Sequence, residues 1–163
     1  FIFIVFHYNL RDMKIKIYFF GKKNELLEWE KEYLKRINFR CKCELIPIPQ
    51  AGITDPKKAK EKEAQSFLSK IGEKDFLVAF DENGIEKNSV DFSAWLRKKQ
   101  EVFGEIIFVI GGAHGLEASI LERANEKLRF GKMIWTRNLF RLMTLEQIYR
   151  ALEISGGSNF HKV

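Results

Sequence analysis

The sequence predicts an α/β domain with a mostly parallel sheet and helices on both of its faces. Two observations carry this expectation. Strand-like and helix-like segments alternate along most of the chain, the pattern of linked βα units. One strand-like run, Ile106-Ile107-Phe108-Val109-Ile110, is apolar at every position, as a central parallel strand buried on both faces must be. The length, 163 residues, suits a single domain, and no repeat, linker or low-complexity segment interrupts it.

The elements follow in order. Lys14 to Phe20 alternates Ile15, Ile17 and Phe19 with other residues and reads as a strand ended by Gly21. Asn24 is placed to cap a helix that carries Leu26, Trp29, Tyr33 and Ile37 at helical spacing. Lys42 to Ile48 is a second strand, stopped by Pro47 and Pro49. Asp55 caps a charged helix through about Lys70, whose run Lys57 to Glu63 is rich in helix formers and reads as a solvated face. Asp75 to Phe80 is a third strand, and Asp81-Glu82-Asn83-Gly84 a turn. A helix from Ser89 holds Phe92, Leu96 and Phe103, and Glu105 to Ile110 is the central strand. A short helix from about Glu117, a short strand near Lys127 to Phe130 and a long helix from Asn138 to Ile154 complete the pattern.

Composition narrows the function classes. Hydrophobic residues make up 45%, including 15 Phe, which supports an aromatic-rich core and argues against disorder. A net charge of +6 and a pI near 9.3 favour a polyanionic partner such as RNA. Cys41 and Cys43 sit two apart in a strand-like run, so they share a face and do not bridge each other. No His is near them in sequence, so they read as core or half-buried thiols in a reducing cytosol, and no metal is expected. The apolar start, Phe1 to Tyr8, lacks the basic head and cleavage site of a signal peptide and is too short to span a bilayer. Residues 1–12 are read as an upstream extension outside the core, with 13–163 as the functional domain; a short added edge strand is the alternative.

Ligands of open α/β sheets bind beyond the carboxyl ends of the strands. Two loops fit that rule, after Phe80 and after Ile110. Gly111, Gly112 and Gly115 allow close backbone approach, though their spacing is neither a dinucleotide fingerprint nor a Walker A loop, and a tight turn before a helix explains them equally well. The segment Leu128 to Trp135 mixes apolar side chains around Gly131. The last helix carries Leu139, Phe140, Leu142, Met143, Leu145, Ile148, Tyr149, Leu152 and Ile154, more apolar surface than one stripe. Either it is central to a single domain, or one face packs on the sheet and the other on a second subunit. The tail ends in Phe160-His161-Lys162; it reads as a frayed terminus or as a reactive His with a basic neighbour.

Phe108-Val109-Ile110-Gly111-Gly112-Ala113-His114-Gly115-Leu116, Leu145-Glu146-Gln147-Ile148-Tyr149-Arg150-Ala151 and Phe160-His161-Lys162 together resemble the ribosomal RNA large subunit methyltransferase H family. The resemblance spans Met13 to Val163. It implies the SPOUT fold, with a C-terminal trefoil knot, and a cytoplasmic homodimer. The implied activity is S-adenosylmethionine-dependent methylation of N3 of a pseudouridine in 23S rRNA, presented by the assembled ribosome. By position it assigns the cofactor pocket to Phe80, to Gly111 with Gly112, and to Phe130, Gly131, Lys132, Met133, Ile134 and Trp135. Arg141 matches the family's Arg at the start of the last helix.

Two positions depart from the family pattern. Thr136-Arg137 stands where Pro-His is frequent, and Phe160 where Tyr is usual. Arg137, Arg141 and Lys162 are expected to meet RNA, Arg141 at phosphate or the uracil edge. His161 is expected to handle the proton of the target nitrogen or to position the nucleotide, from a tail that reaches a cofactor pocket of the dimer. A β-carbon at Gly111 is expected to occupy ligand space without disturbing the fold. A non-catalytic RNA-binding protein of the same fold is the competing reading. A phospho-acceptor domain with Asp81 at a strand end lacks the further acidic residues it needs, since Phe20-Gly21-Lys22-Lys23 ends the first strand.

Overall fold

The computed structural model of the chain describes residues 13–22, 26–112 and 114–161. The expected extension 1–12, Asn24 and Lys162 lie outside them. The elements run β1 (Lys14–Phe20), α1 (Glu28–Asn38), β2 (Lys42–Ile48), α2 (Pro56–Leu68), β3 (Phe76–Glu86), α3 (Ser89–Phe103), β4 (Glu105–Ile110), α4 (Ala118–Arg123), β5 (Glu126–Arg129) and α5 (Arg137–Ser155). The strands form one parallel sheet in the order β2-β1-β4-β3-β5.

The period-two pattern of each strand feeds two apolar layers. Ile15, Ile17 and Phe19 of β1 join Phe76, Val78, Phe80, Ile106, Phe108 and Ile110 beneath α1, α3 and α5. Tyr18 and Phe20 join Leu77, Ala79, Ile107 and Val109 beneath α2 and α4. The layering follows from a single crossover hand. Steps from β1 to β2 and from β3 to β4 move one way along the sheet and use the first layer. Steps from β2 to β3 and from β4 to β5 move the other way and use the second.

Caps mark most helix starts. Asp55 accepts the Lys57 N–H at 2.9 Å, and Asn88 accepts that of Asp91 at 2.8 Å. α1 differs from expectation: Leu27 holds the N-cap position, and its backbone N–H is satisfied by Glu30 at 2.8 Å. Pro47 lies inside β2, paired with Phe19, rather than ending it. Among the described residues β2 has a neighbour on one side only, so a missing N–H is tolerated there.

β3 also runs past the expected stop at Phe80. Residues 81–84 leave the ladder in a turn, with Asp81 accepting the Asn83 N–H at 2.9 Å, and β3 then pairs with β5 again, so that Phe80 and Ile85 both oppose Leu128. A β-carbon on Gly84 would lie 2.5 Å from the Leu128 carbonyl carbon, which is why glycine stands at this crossing.

Candidate active site at the carboxyl ends of the strands

The helices that follow β1 and β3 cover one layer, and α4, which follows β4, covers the other. The chain therefore parts at the end of β4, between its two neighbours, the position where open parallel sheets form their ligand crevice. Gly111 and Gly112 follow β4 at that position. The Gly115 N–H donates to the Gly112 carbonyl at 3.1 Å and closes the loop on itself, with Gly115 at φ +70°. The two leading glycines have different surroundings. A β-carbon on Gly111 would lie 2.8 Å from the Gly115 carbonyl carbon, whereas on Gly112 its nearest neighbour would be the Phe20 Cβ at 3.9 Å. The expected reason for Gly111 is therefore corrected: its missing side chain makes room for the loop's own backbone. Gly112 is the glycine with an open side.

Phe80 ends its core row against three rings: Phe108 at 5.8 Å, Phe130 at 5.1 Å and Phe140 at 4.9 Å between centroids. Phe130 and Phe140 stack at 5.1 Å. This cluster joins the middle of β3 and the end of β5 to the first turn of α5. Trp135 Nε1 donates to the Phe130 carbonyl at 3.2 Å and closes the 130–135 loop, in which Gly131 has φ +83°. Met133 and Ile134 stand out from the surface, 72% and 98% exposed. A cavity of about 370 Å³ lies beside this loop, lined among others by Phe92, Leu128, Phe130, Gly131, Met143 and Gln147. It reaches the 130–131 end of the sequence-chosen residues but not Gly111 or Gly112.

Arg137 donates to the carbonyl of Phe20 at the end of β1 and pins the start of α5 beside the crevice. Arg141, one turn further on, is fully buried. Its Nε donates to Glu30 Oε1 at 2.7 Å and its Nη2 to Oε2 at 3.0 Å, and its guanidinium lies 4.2 Å from the Phe19 ring centroid. The expected phosphate or uracil contact of Arg141 is corrected on that ground: a side chain with 0% exposure, clamped by a carboxylate from α1, has no face toward a polyanion. Its work is internal, holding α5 against α1 and β1.

The tail turns back on α5 through Gly157 at φ +69°. Phe160 meets Tyr149 edge-on at 5.0 Å, and Tyr149 meets Tyr33 at 5.9 Å. His161 Nδ1 lies 3.3 Å from Arg150 Nη1. Arg150 is 13 positions along α5 from Arg137, about 20 Å at 1.5 Å per residue. Within one subunit the tail is therefore not at the crevice.

Cys41 and Cys43 are both buried in the α1/α3/α5 layer, as their shared face requires. Burial pushes the Cys41 thiol up to about 12 and the Cys43 thiol well above its ordinary value. Among the described residues no cluster of three or more His, Cys, Asp or Glu could hold a metal, and no helix is long and apolar enough to cross a membrane.

The profile of a family described as "Predicted SPOUT methyltransferase" matches residues 13–161. The chain belongs to the SPOUT methyltransferase family. Its parallel α/β sheet and C-terminal helix accordingly take the knotted fold of SPOUT proteins. A relative from Enterococcus faecalis named ribosomal RNA large subunit methyltransferase H is 37% identical over 163 residues, covering 92% of this chain and 100% of its own. Relatives of the same name from Clostridium acetobutylicum and Streptococcus sanguinis are each 39% identical, again over 92% of this chain and all of theirs.

Several residues that shape the site carry no sequence signal. Glu30 sits among the acidic residues Glu28, Glu30 and Glu32, and only the fold separates the one that is buried. Phe140 reads as one more apolar residue of α5, yet it completes the ring cluster at Phe80. Arg150 was part of the Leu145 to Ala151 motif, but its contact with the tail depends on a turn at Gly157 that the sequence left open.

Proposed function

We propose that this SPOUT methyltransferase transfers a methyl group from S-adenosylmethionine to N3 of a pseudouridine in the 23S rRNA of the large ribosomal subunit. The observation that carries the reading is the end-to-end match with relatives named ribosomal RNA large subunit methyltransferase H, which this chain covers in full. The crevice beyond β4 supports it, because ligands of open parallel sheets bind where neighbouring loops part.

The residues present fit such a cofactor. Gly112 leaves its outer side free, Gly131 opens the backbone of the 130–135 loop, and the adjacent cavity of about 370 Å³ is in the range of small-molecule sites, roughly 300–1,000 Å³. Phe80, Gly111, Gly112 and Phe130 to Trp135 hold the cofactor, with Gly111 acting by shaping its loop. S-adenosylmethionine supplies a sulfonium-activated methyl group when bound. The protein's share is to orient the base, exclude competing approaches and manage the N3 proton.

The tail bearing His161 and Lys162 serves the cofactor pocket of a second subunit, since in its own subunit Phe160 and His161 lie along the far half of α5. The homodimer uses the outer face of α5, where Leu139 is 42% exposed. Arg137 and Lys162 meet phosphate, so binding weakens as salt rises. Ribosomal substrate places the protein in the cytoplasm.

Isothermal titration with S-adenosylmethionine, followed by methyl transfer from labelled cofactor to purified ribosomes, tests the reading. Cofactor binding with label in 23S rRNA supports it. RNA binding without cofactor affinity would instead mark a non-catalytic protein of the same fold.

A further inference from the structure

We infer that Arg150, held by Glu146, is a positioning residue that fixes His161 as the tautomer with a bare Nδ1 and a protonated Nε2, so that the tail presents an N–H donor to the target base. This inference rests on the rRNA methyltransferase reading.

The argument starts from donor chemistry. A guanidinium has only N–H donors and keeps its proton in proteins. Its Nη1 lies 3.3 Å from His161 Nδ1, so the ring nitrogen in that contact accepts. In a neutral imidazole the other nitrogen then carries the hydrogen. A doubly protonated ring would set an N–H against Arg150 and break the contact.

The guanidinium is itself anchored. Arg150 Nε donates to Glu146 Oε1 at 3.0 Å, and Gln147 Nε2 donates to Glu146 Oε2 at 2.7 Å. The Phe160 ring lies 4.9 Å from the guanidinium carbon and packs on Tyr149 at 5.0 Å. The tail backbone is tied down as well: the Ser158 N–H donates to the Glu153 carbonyl at 3.0 Å. Arg150 and His161 belong to the same chain, so the end of α5 delivers both together to a neighbouring pocket.

The chemical consequence concerns charge. When the target N3 gives up its proton, negative charge spreads onto the flanking carbonyl oxygens of the ring. An N–H donor at His161 Nε2 stabilises that charge. The N3 proton passes to solvent and the imidazole keeps its own, so His161 acts as a hydrogen-bond donor and not as the base.

The test reads the ring directly. Protein labelled with ¹⁵N-histidine is studied by long-range ¹H–¹⁵N correlation in mildly alkaline buffer, with His161→Gln assigning the signal. The expected spectrum is the Nε2–H tautomer in the parent chain and a mixture in Arg150→Ala. In ribosome methylation, Arg150→Ala should lower kcat by about 10- to 100-fold with cofactor affinity unchanged, and Arg150→Lys, still a pure donor, should recover part of it. His161→Gln, whose amide N–H can stand in for Nε2–H, should stay well above His161→Ala. An Nδ1–H tautomer in the parent chain, or an Arg150→Ala spectrum and rate identical to the parent, overturns the inference. The parent tautomer is read without any variant, so a variant that fails to fold does not block the test. If the tautomer is as expected but ribosomes accept no methyl, the positioning by Arg150 stands and the rRNA reading falls.

Discussion

Arg141 and Glu30 form a bidentate ion pair with both side chains fully buried, 111 residues apart in sequence. Glu30 makes a second contact with the same carboxylate, accepting the Leu27 N–H at the start of α1. One carboxylate thus caps α1 and clamps α5. Removing a single partner leaves an uncompensated buried charge, at a cost of about 3–5 kcal/mol. Arg141→Ala and Glu30→Ala should each destabilise the protein by that order in urea unfolding, while Arg141→Met with Glu30→Leu should recover much of the loss. A methylation defect in Arg141→Ala that persists with full stability would return Arg141 to a direct role at the RNA.

Gly111 and Gly112 should separate loop integrity from ligand access. Gly111→Ala forces the β4 loop to move, because its β-carbon meets Gly115 backbone at 2.8 Å; both Tm and S-adenosylmethionine affinity should fall. Gly112→Val adds bulk on the open side, so affinity should fall at least tenfold, about 1.4 kcal/mol, with Tm nearly unchanged. Calorimetry of both variants checks the pair. Unchanged affinity in Gly112→Val would remove that glycine from the pocket.

Much of the fold was legible because local pattern and burial agree. The strands β1, β2 and β4 match their expected bounds, since alternation and the all-apolar run at 106–110 follow from facing two layers. The extension of β3 past Phe80 was not legible, because a bulge opposite Leu128 depends on how β5 crosses it. The glycines after β4 stand out in the sequence because they follow the all-apolar strand, but which one packs and which one opens is a matter of three-dimensional neighbours. Arg141 shows the same limit: an arginine near a helix start reads as surface charge until its partner on α1 is known.

The two cysteines predict an alkaline weakness. Burial raises both thiol pKa values, that of Cys41 to about 12, so the folded state holds these protons to higher pH than the unfolded state does. Stability is full below the ordinary thiol value of about 8.5 and falls above it, by about 1.4 kcal/mol per pH unit for each thiol until the folded value is reached. Urea midpoints measured upward through that range should decline less steeply in Cys41→Val than in the parent. Identical slopes would mean that Cys41 stays unlinked to folding.

The outer face of α5 should hold a dimer. Leu139 is 42% exposed, and Leu142 and Met143 are half-buried beside it. Burying apolar surface stabilises by about 25 cal/mol per Å², so a charge placed there should be costly to association. Sedimentation should give a dimer at micromolar concentration for the parent chain and a monomer for Leu139→Glu. A monomeric parent would deny the tail a second pocket to serve.

The most direct test of the central claim is the site of methylation. Ribosomes that lack the modification are incubated with the protein and labelled S-adenosylmethionine, and the 23S rRNA is digested to nucleosides for mass spectrometry. The account predicts label in a single product, a pseudouridine methylated at N3. Label in any other nucleoside, or none at all from protein that binds the cofactor, would contradict it.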